Sequence, residues 1–141
     1  MSRELLFRAW TGKTMMYQDR QYLGSFIRRV VIQVLMDHDF PEAMKRKSYL
    51  PKGTKIDDYL MQYINNEDIC GKKIYDEDIV MLRGSNYPTR YQVYWNVDQW
   101  DVKDAQGNGY DRGYYESGSI NWRSGLEVIG NMRETPNLLN N

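Results

Sequence analysis

The sequence has little of what several large classes of protein require. Among its 141 residues there is 1 cysteine, Cys70, so an intrachain disulfide is excluded and a reducing cytoplasm is favoured. There is also only 1 histidine, so no histidine pair exists to share a metal ion. The most apolar stretch, residues 26–36, is too short to cross a membrane and contains Arg28 and Arg29. No signal peptide is apparent at the N-terminus, and we expect a soluble cytoplasmic protein.

Motifs that carry catalysis are scarce as well. No glycine is followed by the Lys-Ser or Lys-Thr pair of a phosphate-binding loop. His38 lies between Asp37 and Asp39, which could orient a general base, but no serine or cysteine motif lies nearby for it to activate. We interpret His38 as a surface histidine and Cys70 as an unreactive turn cysteine. The sequence therefore predicts no enzyme activity, no catalytic residue and no cofactor.

Acidic residues form the one cluster that resembles a metal site. Asp76, Glu77 and Asp78 are consecutive, and further acids occur at 57, 58, 67 and 68. Paired carboxylates can hold Mg²⁺ or Ca²⁺, but the Asp-x-Asp-x-Asp-Gly pattern of a calcium loop is missing. Acids that flank strands more often protect sheet edges or solvate a surface. We therefore predict no metal site.

Charge is balanced overall and uneven along the chain. Residues 1–56 hold 11 Lys/Arg and 5 Asp/Glu, a net charge of +6, and residues 57–141 hold 8 and 14, a net charge of −6. A neutral chain argues against a general nucleic-acid binder, whose domain is usually strongly basic. Two halves of opposite net charge are typical of head-to-tail self-association or of packing between the halves, although solvation alone also explains the charges. The change of sign places a predicted domain boundary at residues 56/57.

Aromatic residues indicate the fold class. The chain has 12 Tyr and 4 Trp but 3 Phe, a composition that suits strands with half-buried faces. We predict a mainly β fold, with α+β as the alternative. Alternation predicts a hairpin over residues 5–17 that turns at Gly12. Residues 26–36 carry a helical stripe as well as many β-branched side chains, and we favour a strand there.

The remaining segments can be placed from their patterns. Residues 37–55 are expected to form a flexible basic loop with a short helix at 40–44. Strands are predicted at 57–63, 78–83, 90–97, 99–103, 119–122 and 126–131. Turns are predicted at 65–68 and 105–109 and a surface loop at 110–119. The tail from residue 134 either frays after Pro136 or forms a last helical turn.

Three blocks of sequence, in order, carry a family resemblance. They are Phe7–Trp10 followed by Met15–Tyr17, then Leu60–Tyr63 followed by Gly71–Val80, then Leu126–Asn131 followed by Pro136–Leu139. Together they resemble the YopX family of bacteriophage and prophage proteins, over essentially the whole chain. The resemblance implies a C-terminal SH3-like small barrel over residues 57–141, after a β-rich N-terminal part over residues 1–56. It also implies a phage or prophage origin, compatibility with homo-oligomers and no established activity.

Two departures from the family pattern bear on structure. This chain has Glu77 where the family usually has glycine, which suggests that the bend before Ile79 needs no positive φ here. It also has Ile64–Asp68 where the family carries a Thr-Gly-Leu-Lys-Asp-like run. Neither departure touches a catalytic pattern, since the resemblance supplies none.

Basic and aromatic residues supply the candidate contact surface. The residues are Arg28, Arg29, Lys45, Arg46, Lys47, Tyr91, Tyr94, Trp95 and Trp100. Basic grooves with exposed rings bind single-stranded nucleic acid, but here the rings belong to the acidic half. The leading hypothesis is therefore a non-enzymatic module that contacts protein, with a second copy of itself or with a phage or host protein. A nucleic-acid-binding accessory protein is the alternative.

Overall fold

The computed structural model describes residues 5–19, 21–38, 40, 50, 52–83, 89–109 and 122–140. It is mostly strand, which confirms the expected mainly β fold. The chain divides into two compact units, Met1–Gln62 and Tyr63–Asn141, and passes from one to the other inside a strand. Within the described residues, no helix is both long and apolar enough to traverse a bilayer.

The first unit begins with the predicted hairpin. Strand β1 (Phe7–Trp10) pairs antiparallel with β2 (Met15–Tyr17), with Ala9 opposite Met16. Gly12 turns the chain with a φ of 106°, a conformation that favours glycine. The expected hairpin is therefore confirmed.

Helix α1 (Leu23–Asp37) occupies the segment for which we favoured a strand, so that prediction was wrong. Phe26, Val30 and Val34 recur at helical spacing and pack with Ala9 of β1 in the core of this unit. Helix propensity differs among ordinary residues by less than about 1 kcal/mol each, whereas burying one large apolar side chain contributes about 2 kcal/mol. The buried stripe therefore outweighs the β-branched side chains.

Strand β3 (Leu60–Glu67) is longer than predicted and begins later. Residues Ile56–Asp58 form a 3-10 turn rather than the start of a strand. The residues predicted as a polar turn lie mostly inside β3, where Asn65 takes a φ of 62° at a break in register. Asparagine tolerates this left-handed conformation better than most residues, so the polar pattern marks a bulge instead of a turn.

Four strands of the second unit follow the predicted positions closely. They are β5 (Asp78–Leu82), β6 (Arg90–Asn96), β7 (Gln99–Lys103) and β8 (Leu126–Asn131), whereas the short strand β4 (Lys73–Tyr75) was not predicted. Trp122 begins a short helix, α2 (Trp122–Gly125), and does not end a strand as predicted. The tail forms a 3-10 turn over Pro136–Asn140, the second of its two expected outcomes. The predicted helix at 40–44, apart from Phe40, and the loop at 110–119 lie outside the described residues.

The sheet of the second unit runs in the order β7-β6-β5-β8 and curls into a half-barrel. Its inner face carries a core that includes Val80, Val93 and Val102, all fully buried. Val93 lies opposite Val102 across β6 and β7. Alternation along these strands sends every second side chain into that core, which is why the sequence pattern located them well.

The turn between β4 and β5 corrects a second prediction. Glu77 has a φ of 70°, so the bend does need a left-handed residue even though glutamate occupies it. Its carboxylate accepts two hydrogen bonds from Arg133, at 2.9 Å from Nε and 3.0 Å from a terminal nitrogen. The Met132 amide donates to the Glu77 carbonyl oxygen at 2.9 Å. The side chain that strains the bend also ties it to the C-terminal tail.

Asp68 joins two elements by hydrogen bonds, namely the turn that follows β3 and strand β8. The residue is 3% exposed, and one carboxylate oxygen accepts hydrogen bonds from the amides of Cys70 at 2.9 Å and Lys72 at 2.8 Å. The other oxygen accepts from the Val128 amide at 2.8 Å. A buried carboxylate with three amide donors is well satisfied, so Asp68 has a structural role.

Candidate protein-interaction site

A strained apolar residue lies at the tip of the β6–β7 hairpin. Val97 has a φ of 58° and is 89% exposed. The Asp98 amide donates to the Asn96 carbonyl oxygen, which closes a three-residue γ-turn around Val97. A β-branched residue at positive φ is a genuine outlier, and such strain costs about 1–3 kcal/mol. Here burial does not offset it, because the side chain faces water.

A tryptophan pair lies next to this turn. Trp95 and Trp100 face each other across β6 and β7, with ring centroids 5.1 Å apart and planes at 71°. Trp100 packs partly against the core of the unit, whereas Trp95 is 53% exposed. The edge-to-face contact with Trp100 favours this orientation of the Trp95 ring. The hairpin therefore presents a large apolar ring at the surface, supported by a second ring.

Asp98 completes this surface with a charge. It is exposed and follows Val97 directly, so an acid and two apolar side chains share one end of the hairpin. We call Trp95, Val97 and Asp98 the hairpin tip. Aromatic and apolar anchors that are already ordered are typical of protein contact surfaces, because little side-chain entropy remains to be lost on binding.

The solvent side of α1 is a second mixed surface. Arg28 and Arg29 are exposed there, and Ile32 and Met36 follow at helical spacing with 39% and 56% exposure. Arg29 donates a hydrogen bond to the Gln21 side chain at 2.9 Å. We call these four residues of the helix the α1 outer face. It carries two cations and two apolar side chains in a single stripe.

The other predicted contact residues divide into three groups. Tyr91, a candidate contact residue, is 6% exposed, because the alternation of β6 turns it into the core beside Val93. Tyr94 is half-buried, and the Lys103 ammonium lies 4.5 Å from its ring centroid. Lys45, Arg46 and Lys47 lie outside the described residues.

His38 and its neighbours connect the end of α1 to the β1–β2 turn. The Thr11 hydroxyl donates to Asp37, and His38 Nε2 donates to the Thr11 carbonyl oxygen. Partial burial alone would raise the pKa of Asp37, but hydrogen bonds from Thr11, Gln33 and Thr14, with His38 nearby, hold this pKa below its ordinary value. These contacts give Asp37 and His38 a structural role, because they join the C-terminal end of α1 to the β1–β2 turn.

Cys70 and the acidic residues also occupy structural positions. Cys70 is an exposed free thiol in the turn that Asp68 closes. One Asp78 oxygen accepts from the Tyr75 amide at 2.8 Å, and Glu77 holds Arg133. Across the described ranges, no three His, Cys, Asp or Glu side chains group as metal ligands. Asp68, Asp78 and Glu77 thus act as turn and ion-pair groups.

Sequence reasoning identified Trp95 but missed Val97 and Asp98. The signal was present, since the strands predicted at 90–97 and 99–103 leave almost no residues to connect them. Hairpins with connections this short need positive φ, which asparagine and glycine usually provide. A valine at that point therefore marks an unusual turn.

The fold is that of a mainly β, barrel-like protein, and it exposes apolar and charged side chains on the β6–β7 hairpin and on α1. The YopX protein family matches the chain over residues 6–140, and the chain belongs to that family. Among solved structures, it is similar to protein EF1440 from Enterococcus faecalis, with 19% identity and a TM-score of 0.54. That likeness covers 98% of this chain and 99% of the other and shows a shared fold. No curated protein matches the chain.

Proposed function

We propose that this protein works by protein contact without catalysis, that it self-associates, and that the hairpin tip is its contact surface. The observation that carries the proposal is Val97, an exposed apolar side chain in a strained turn beside an exposed tryptophan. Such strain persists where it serves a purpose, because a glycine or asparagine would form the same turn at lower cost. The placement of His38, Cys70 and Asp68 in turns supports binding over chemistry.

Charge supports a second copy as the partner. Residues 1–62 hold 11 Lys/Arg and 7 Asp/Glu, a net charge of +4, and residues 63–141 hold 8 and 12, a net charge of −4. Each copy thus offers a basic and an acidic unit to its neighbour. We further propose a phage or prophage origin and action in the cytoplasm of a bacterial host, and the identity of the flanking genes tests the origin.

Light scattering on the purified protein tests self-association. The weight-average mass should rise from the monomer value of 16.8 kDa as concentration increases from low to high micromolar. A Trp95→Ser variant should remain nearer the monomer mass. Ile69→Ser is the matched control, because Ile69 is 42% exposed in the same unit but lies outside the hairpin tip.

Two outcomes would reject the proposal. One is a wild-type protein that stays monomeric at high micromolar concentration and captures no protein through the hairpin tip. The other is a Trp95→Ser variant that is folded by circular dichroism and associates like wild type. Equal losses in Trp95→Ser and Ile69→Ser would also remove the hairpin tip from its assigned role.

A nucleic-acid-binding accessory role is the second candidate. Arg28 and Arg29 are exposed on α1, and Trp95 is a ring on which a base could stack. Binding would weaken steeply with added salt, since each neutralised phosphate releases counterions. A gel-shift titration with single- and double-stranded DNA at low salt measures this, and no shift there would end the alternative.

A further inference from the structure

We infer that the hairpin tip of one copy binds the α1 outer face of the next copy, in a head-to-tail contact. This inference rests on the proposed function, since it names the partner surface of the same site. The hairpin tip joins one acid to two apolar side chains, Val97 and Trp95. The α1 outer face joins cations to two apolar side chains, Ile32 and Met36.

The order of residues on the two surfaces corresponds. Trp95 lies two residues before Val97, at the end of β6, and Met36 lies four residues after Ile32, roughly 6 Å along α1. Asp98 adjoins Val97, while Arg28 and Arg29 lie one helical turn before Ile32. When the two surfaces are aligned in this order, Asp98 of one copy faces the two arginines of the next copy. Val97 then faces Ile32, and the Trp95 ring faces the sulfur of Met36.

The chemistry of each pair is favourable. Methionine sulfur and aromatic rings attract one another, by about 0.3–1.5 kcal/mol. Exposed charges contribute less to affinity than to orientation, so the Asp98–arginine contact sets which surfaces meet. The surrounding units reinforce this choice, with net charges of −4 for residues 63–141 and +4 for residues 1–62. Two hairpin tips, by contrast, would bring Asp98 of each copy together.

A contact between two different surfaces has a distinctive consequence. Each copy keeps one unused tip and one unused helix face after binding a neighbour, so growth continues until a ring closes or a filament forms. Damage to either surface on every copy should then prevent assembly, even though the other surface is intact. A symmetric contact would be sensitive to only one of the two changes.

Charge exchange tests the inference. The two damaging variants are Arg28→Glu with Arg29→Glu, on the helix face, and Asp98→Lys, on the tip. We expect each to weaken self-association by about tenfold or more, measured by sedimentation velocity. The triple variant R28E/R29E/D98K should regain association, since the opposite charges face each other again. The conservative control Arg28→Lys with Arg29→Lys should associate like wild type.

The outcomes separate this inference from the proposed function. If the helix-face variant is folded and associates normally while Trp95→Ser does not, the head-to-tail contact is wrong and the hairpin tip keeps its role. A folded triple variant that fails to recover also overturns the inference. If wild type itself stays monomeric at all concentrations, both the inference and self-association fail. Recovery in the triple variant supports both.

Discussion

Individual residues at positive φ differ in what offsets their strain. Asn65 tolerates the left-handed region by its chemistry, with a φ of 62°. Glu77, at 70°, gains a two-point ion pair with Arg133. Val97, at 58°, is 89% exposed and gains no burial in return. Of these three residues, Val97 is the one whose identity the fold explains least, and this is why we propose a contact function for it.

At Glu77, we predict that substitution by glycine destabilises the protein less than substitution by alanine does. Glu77→Ala removes the ion pair and keeps a Cβ in the left-handed region, whereas Glu77→Gly removes the ion pair and relieves the strain. We expect the alanine variant to be less stable than the glycine variant by about 1 kcal/mol. Urea unfolding followed by circular dichroism measures the difference. Equal stability of the two variants would show that the bend is unstrained.

Secondary-structure elements were predictable where one pattern dominated. β6 and β7 alternate cleanly, so their positions followed from the sequence, and so did β8. α1 was missed because β-branched residues and a helical stripe coincide, and only the core formed with Ala9 decides between them. Trp95 and the arginines were identified from residue type, but Val97 requires the backbone geometry of the turn.

Asp68 provides a prediction for the contact between the turn after β3 and β8. Asp68→Asn keeps the size of the side chain but turns an NH₂ group toward an amide donor, either Val128 or the Cys70–Lys72 pair. Leaving a buried donor without an acceptor costs about 1–3 kcal/mol. We expect a loss of about 2 kcal/mol in the free energy of unfolding. The exposed Asp57→Asn is the control and should change stability little.

The lowered pKa of Asp37 leads to a prediction of how its contribution to stability depends on pH. Its pKa in the folded protein lies below the ordinary value of 3.8, so its stabilising contribution is complete above that value. The contribution is lost as pH falls through the lower, folded pKa. The difference in unfolding free energy between wild type and Asp37→Asn should therefore stay constant above pH 3.8 and shrink as the pH falls below that value. A difference that stays constant with pH would contradict this account.

At the scale of the whole molecule, we propose that function belongs to two surfaces, the hairpin tip and the α1 outer face. One unit is basic and the other acidic, and each presents exposed apolar side chains beside its own charge. Under the proposal, copies of the chain join through these surfaces. The family membership and the likeness to EF1440 support the fold that displays these surfaces.

Val97→Gly, measured for stability and association in the same preparation, tests the central claim most directly. Glycine adopts the turn without strain but lacks the apolar side chain, so unfolding free energy should rise by about 1 kcal/mol while self-association weakens. Urea unfolding and sedimentation velocity beside wild type give the two values. Weaker association in a more stable protein is the predicted result. Unchanged association in that stabilised variant would contradict a contact role for the hairpin tip.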